Sequence, residues 1–125
     1  MSRSSEPNLF EQLTSLFRRE QRNILRRELH NENKVHLYRL GDYWVAFEKS
    51  AYLLEQISLT DADPTVIYMQ EHPFPMLMTT INNHRANGLC RHRISGSRQP
   101  NYLQIHSGKI DTALYNEWYR TNTID

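Results

Sequence analysis

The sequence predicts one domain of mixed α/β class (α+β), with a mixed sheet of about five strands and helices packed on it. Three observations point there. Residues 8 to 29 carry apolar side chains at helical spacing. His36 to Phe47 is the densest run of strand formers in the chain, broken once by Gly41-Asp42. The remainder alternates period-two stretches with helical ones, in the order helix, hairpin, helix, strand, strand, helix, strand, helix. A chain of 125 residues fits one such domain, over 8–120, between a disordered lead-in at 1–7 and a fraying tail at 121–125.

In the first helix, Phe10, Leu13, Phe17 and Ile24 form one stripe, with Leu9 and Leu16 beside it. Pro7 suits a helix start, where its missing N–H would have no partner anyway. Arg18, Arg22 and Arg26 recur every fourth residue with Arg19 near them, so four guanidiniums share another face. Glu20 and Glu28 dilute that charge a little. Such a stripe is ordinarily a solvated face. It also suits phosphate, whose geometry a guanidinium fork matches, or an acidic protein.

Residues 30–34 read as a loop. On the strand that follows, Val35, Leu37 and Arg39 point one way, and His36, Tyr38 and Leu40 the other. Gly41-Asp42 is the tight turn, since glycine accepts positive φ, and Tyr43 to Phe47 is the return strand. Residues 48–57 go back to helical spacing, with Ala51, Leu54 and Ile57 facing the sheet. Asp61-Ala62-Asp63-Pro64 is a turn. Thr65 to Gln70 is apolar on both sides, as an interior strand would be. Glu71 to Pro75 is a rigid connection, and Met76 to Ile81 a strand. Asn82 to Arg93 is a short helix weakened by Gly88, and Ser95 to Pro100 a loop. Tyr102 to His106 is the last strand. Asp111 to Tyr119 is an amphipathic helix with Leu114, Tyr115 and Trp118 inward, begun by an acid that complements its dipole.

Tyr38-Arg39-Leu40-Gly41-Asp42-Tyr43-Trp44-Val45-Ala46-Phe47 resembles the opening motif of the MutS family's mismatch-recognition domain. That motif reads aromatic-Arg-apolar-Gly-Asp-Phe-Tyr-Glu-apolar-Phe. The sequel is similar in order: Glu48 to Ala51, Leu53-Leu54, then Ile57-Ser58-Leu59-Thr60. Phe74-Pro75-Met76 and His84 match more weakly, so the resemblance covers about residues 35 to 90. It implies a MutS first-domain-like fold standing alone, since 125 residues leave no room for that family's ATPase, clamp and lever. In the family, the motif's Phe stacks on the mispaired base and the Glu two residues on hydrogen-bonds it. This chain has Tyr43 and Val45 there. Tyrosine can stack, whereas valine has no donor or acceptor with which to read a base.

Composition narrows the partners. The net charge is +1, so the chain is not basic overall. The positive charge gathers in the first helix and in a second cluster, Arg85, Arg91, His92, Arg93 and Arg98. If the fold joins these beside Tyr43 and Trp44, one surface combines phosphate contacts with stacking aromatics. The expected nucleic-acid-binding residues are thus Tyr43, Trp44, Arg39, Arg18, Arg22, Arg26, Arg91 and Arg93, with DNA as the partner. The alternative is a protein-interaction or adaptor domain that uses Trp44, Phe74 and the arginine face.

Neither a catalytic motif nor a zinc spacing appears among the six histidines and Cys90, so no enzyme, metal or cofactor is expected. The lone cysteine suits a reducing compartment. No apolar run approaches the ~20 residues of a membrane span, and the N-terminus carries no secretory signal, so a cytoplasmic location is expected.

Overall fold

The computed structural model describes residues 8–58, 64–68, 72–92 and 95–124. The chain opens on helix α1, Leu9–Leu29. Its cap is Asn8, whose Oδ1 accepts from the Glu11 backbone N–H at 2.8 Å while Nδ2 donates to the Glu11 carboxylate at 3.0 Å. Two otherwise open polar ends are thus satisfied together. Leu16, Ile24 and Glu28 are buried along its length. Phe10, expected on that stripe, is 76% exposed, because α1 overhangs the core at its first turn.

Strands β1 (Lys34–Leu40) and β2 (Tyr43–Phe47) form the expected hairpin, with Tyr38 opposite Val45 and Leu40 opposite Tyr43. Gly41 takes φ +66° at the turn. A β-carbon there would sit 2.9 Å from Oε1 of Gln12, so both the backbone angle and the nearness of α1 call for glycine. β2 runs without a loop into helix α2, Glu48–Ser58. The next elements are β3 (Thr65–Ile67), β4 (Met76–Asn82) and helix α3 (Asn83–His92). They are followed by β5 (Ser95–Gln99), β6 (Tyr102–His106) and helix α4 (Thr112–Thr123). Asp111 caps α4, its carboxylate accepting from the Leu114 N–H at 3.1 Å.

These strands make one six-stranded sheet in the order β3-β4-β2-β1-β6-β5. Every pairing is antiparallel, so the class is α+β with an antiparallel rather than a mixed sheet. The extra strand is β5. Its Ser-Gly-Ser start is poor in strand formers and predicts a loop. Pairing with β6 supplies the strand, with a register shift between Ser95 and Ser97, around Gly96. β3 is an edge strand, not the interior one expected from its two-sided apolarity: Val66 is exposed on it.

The strands alternate between two cores. One face puts Val35, Leu37, Trp44, Ala46, Leu103 and Ile105 against α2, α3 and α4. The other puts Tyr38, Leu40, Val45, Phe47, Met76 and Met78 against α1 alone, through Leu16 and Ile24. Ile24 is fully buried there, a burial that stabilises by roughly 2 kcal/mol. On α4, Tyr115 and Trp118 turn inward as expected, but Leu114 is exposed. The helix continues to Thr123 rather than fraying from Thr121. The expected turn at 61–63, the lead-in at 1–7 and Arg93 lie outside the described residues.

Candidate nucleic-acid interface

The hairpin tip and the first half of α1 enclose a cleft of about 540 Å³. Arg18, Arg19 and Arg39 line it, together with Phe10 and Gly41. Its geometry follows from the local sequence. Helical spacing sets Arg18 one turn beyond Thr14 and two beyond Phe10. Strand alternation puts Arg39 near the end of β1 on the same face as Val35 and Leu37, across from Trp44, and its Nε donates to the Gly41 carbonyl at 3.0 Å. The same guanidinium stands 5.8 Å from the ring of Trp44. Glu11 is the one carboxylate on the wall, and it already accepts from Asn8.

Tyr43 begins β2 beside this tip and is 48% exposed, so its ring is open to solvent. It shares a face with Val45 and Phe47, the face that α1 covers further along. Arg22 and Arg26 are exposed on successive turns of α1, and Arg26 also donates to Asn23 Oδ1 at 2.7 Å. Four of the expected residues, Tyr43, Arg18, Arg22 and Arg26, therefore lie on the α1 side; Arg39 borders the cleft at the tip, but it pairs with Trp44 and carries its guanidinium toward that ring, on the opposite face.

Trp44 does not belong with them. It is 4% exposed and sits in the core under α2, α3 and α4, with its indole N–H donating to Asn83 Oδ1 at 2.9 Å. Strand alternation is the reason: with Tyr43 on the α1 face, its neighbour must enter the opposite one. The adaptor surface that was to use Trp44 loses the residue for the same reason. Arg91 is exposed, but it is carried by α3, whose Ala86, Leu89 and Cys90 pack on the face opposite α1. Arg91 thus does not share a surface with the α1 arginines. Val45 is fully buried beneath α1, so its position could not read a base even with a polar side chain.

Two polar clusters behind the cleft were not visible in the sequence. Glu28 is buried where α1, β1 and α2 meet. Its carboxylate accepts from the Ser50 backbone N–H at 2.8 Å, the Ser50 hydroxyl at 2.5 Å and Asn31 Nδ2 at 3.3 Å. Ser50 Oγ also accepts from the His36 backbone N–H at 2.9 Å. Glu28 thereby satisfies an open N–H in the first turn of α2 from a different helix. Burial pushes its carboxyl up to about 7, against the pull of those hydrogen bonds and with the neighbouring Glu48 adding to the rise. A carboxylate one turn beyond Ile24, on the apolar side of α1, was the available signal.

Glu48 itself opens α2 at φ 53°, in the left-handed region that costs most residues roughly 1–3 kcal/mol. Its side chain accepts from the Leu77 N–H at 2.8 Å and bonds the Tyr115 hydroxyl. Burial raises it to about 7 as well.

The second cluster anchors the end of α1. Arg27 lies 4.1 Å from the centre of the Tyr102 ring and donates to the Tyr38 hydroxyl at 3.2 Å. Tyr102 in turn contacts His36 Nδ1 at 2.7 Å. Burial, helped by Arg27 and Lys34, lowers His36 to about 4, so its ring is neutral at pH 7.

Among the described residues no group of histidine, cysteine, aspartate and glutamate side chains could hold a metal ion, and no helix is long and apolar enough to cross a membrane. No protein-family model, curated protein or solved structure matches the chain.

Proposed function

We propose that the chain is a nucleic-acid-binding module that holds DNA along the exposed side of α1 and the β1–β2 tip. One observation carries the reading: Arg18, Arg19 and Arg39, from two separate elements, line one cleft at the β1–β2 tip, and Tyr43, the first residue of β2 after that tip, is exposed. Arginines on a helix and at a strand end can position phosphates, and an open tyrosine can stack on a base. Arg22 and Arg26 extend the phosphate track along α1. The resemblance to the MutS first domain places Tyr43 at that family's stacking position, while Val45 removes the base-reading contact. The module therefore binds without selecting a mispair through that residue. It acts by binding alone, with no chemical step.

The test is fluorescence anisotropy with labelled single-stranded, matched and mismatched duplex DNA at low and moderate salt. Micromolar binding is expected at low salt. Five phosphate contacts, one for each of these arginines, give a slope of about −4.5 in log affinity against log salt for duplex DNA. Tyr43→Ala should weaken binding by about tenfold, the scale of one lost stacking contact. No binding at low salt, or binding indifferent to Arg18→Ala and Arg39→Ala, rules the reading out.

A further inference from the structure

At the C-terminal end of α1 lies a polar cavity of about 240 Å³. Alternation puts Lys34 and His36 of β1 on the sheet face that α1 covers, with His36 opposite Gln104 of β6. Arg27 of α1 and its capping residue His30 complete the basic side of the lining. Glu32 is the one acid among the lining residues, and it is exposed.

The groups turned to this cavity are donors. His36 is 5% exposed, and its Nδ1 lies 2.7 Å from the Tyr102 hydroxyl. Gln104 bonds the same hydroxyl and favours its ionised form, so the amide donates to that oxygen. The hydroxyl proton is left for Nδ1, which puts the ring proton on Nε2. Nε2 bonds no described group, yet no buried side-chain polar atom among the described residues lacks a partner. Nε2 is therefore the open edge of a buried ring, and the ring lines the cavity. Arg27 gives one nitrogen to the Tyr38 hydroxyl, and its other N–H groups bond no described side chain. Lys34 is half-buried, and its ammonium bonds none either.

We propose that this cavity holds a phosphate monoester, either a small phosphorylated molecule or the phosphorylated end of a nucleic-acid strand. The cations of Arg27 and Lys34 match a dianion. A guanidinium edge, an ammonium and an imidazole N–H converge from α1 and β1, and a tetrahedral oxyanion accepts from several directions at once. Beyond the effect of burial, the charges of both Arg27 and Lys34 oppose protonation of the His36 ring, so both act at one point. The α1 dipole opposes an anion by roughly half a charge, and the two cations outweigh it. The Leu29 carbonyl faces Lys49 at 3.4 Å, and Glu28 turns its oxygens to Ser50 and Asn31. The cavity shares no lining residue with the nucleic-acid cleft, so the proposal stands whether or not DNA binds.

The probe is methyl phosphate, titrated into the full chain at pH 7 and constant ionic strength and followed by NMR of the imidazole nitrogens. The His36 Nε2 signal should shift and saturate, while His84, carried by α3 on the other face of the sheet, stays still. Acetate should bind at least tenfold more weakly. Lys34→Ala should weaken the phosphate about tenfold, the scale of one charge-assisted hydrogen bond, with the urea midpoint unchanged. Arg27 is left in place because it also fastens Tyr38. Anisotropy with a labelled strand ending in a phosphate, beside the same strand ending in a hydroxyl, separates the two sources. Tighter binding of the phosphorylated strand that Lys34→Ala removes assigns the site to strand ends. Equal binding of the two strands, with methyl phosphate still saturating, assigns it to a small monoester; either supports the proposal. No saturation at tens of millimolar, equal affinity for acetate, or indifference to Lys34→Ala overturns it.

Discussion

The two halves of α1 belong to one continuous helix and are held in opposite ways. Its second half is fastened by polar groups. Glu28 holds three donors from α2 and the following loop, and Arg27 lies over Tyr102 and reaches Tyr38. Its first half rests on Leu13, Leu16 and Phe17 and leaves Leu9 and Phe10 in solvent, with an open depression on either side. Rigid anchoring and an accessible surface are thus separated along the helix. The proposed binding surface is positioned by a fastening at the other end of the helix.

Substitutions at the two ends should separate this contrast. Glu28→Ala leaves the Ser50 backbone N–H buried without its acceptor and strips the Ser50 hydroxyl and Asn31 of their bonds to the carboxylate, and should cost about 3 kcal/mol, read as a lower urea midpoint. Phe10→Ala, at the exposed end, should stay within about 0.5 kcal/mol. Equal losses at the two positions would dissolve the distinction.

The binding half should respond the other way. The double variant Arg18→Ala with Arg39→Ala should lower DNA affinity more than tenfold in low salt. It should also flatten the salt slope by about two units, with the urea midpoint unchanged. Arg27→Ala should move the midpoint and leave the salt slope alone.

A smaller effect is expected from pH. Glu28 and Glu48 ionise near 7 in the folded chain and near 4.5 when free. Between those values the folded chain holds more protons than the unfolded chain, so stability falls as pH rises. His36, lowered from 6.5 to about 4, acts in the opposite sense, its contribution growing from pH 4 to 6.5. Two acids against one imidazole leave a net fall as pH rises from about 5 to 7. Urea midpoints of the parent chain should follow that course, and Glu28→Gln should flatten it. The smallest effect belongs to the cap. Asn8→Ala should cost about 1 kcal/mol and Asn8→Asp little, compared by thermal unfolding.

The fold was legible where one signal sufficed. The Gly41-Asp42 turn, the Tyr43–Phe47 strand and the α1 periodicity each speak locally, and each element forms where its pattern places it. The illegible parts depend on partners distant in sequence. Ser95–Gln99 becomes a strand because β6 lies beside it, and Val66 is exposed because β3 falls at the sheet's edge. The same division runs through the interface. Arg18 and Arg39 are readable as exposed arginines, but only the crossing of α1 over the hairpin tip sets them in one cleft. Trp44 reads as a companion of Tyr43 because they are neighbours in sequence, and alternation makes neighbours the worst companions on a strand. Glu28 reads as one more charge on a charged helix, since nothing in its own surroundings announces Ser50 twenty-two residues on.

The junction of β2 and α2 has no loop, and Glu48 turns the corner while bonded to β4 and α4. With no slack chain between them, the hairpin and the helix can open only together. In hydrogen-exchange terms, the amides of β2 and of the first turn of α2 are expected to exchange as one cooperative unit, through the same opening event. That unit joins the hairpin strand that starts at the tip to a helix on the far side of the sheet from the cleft.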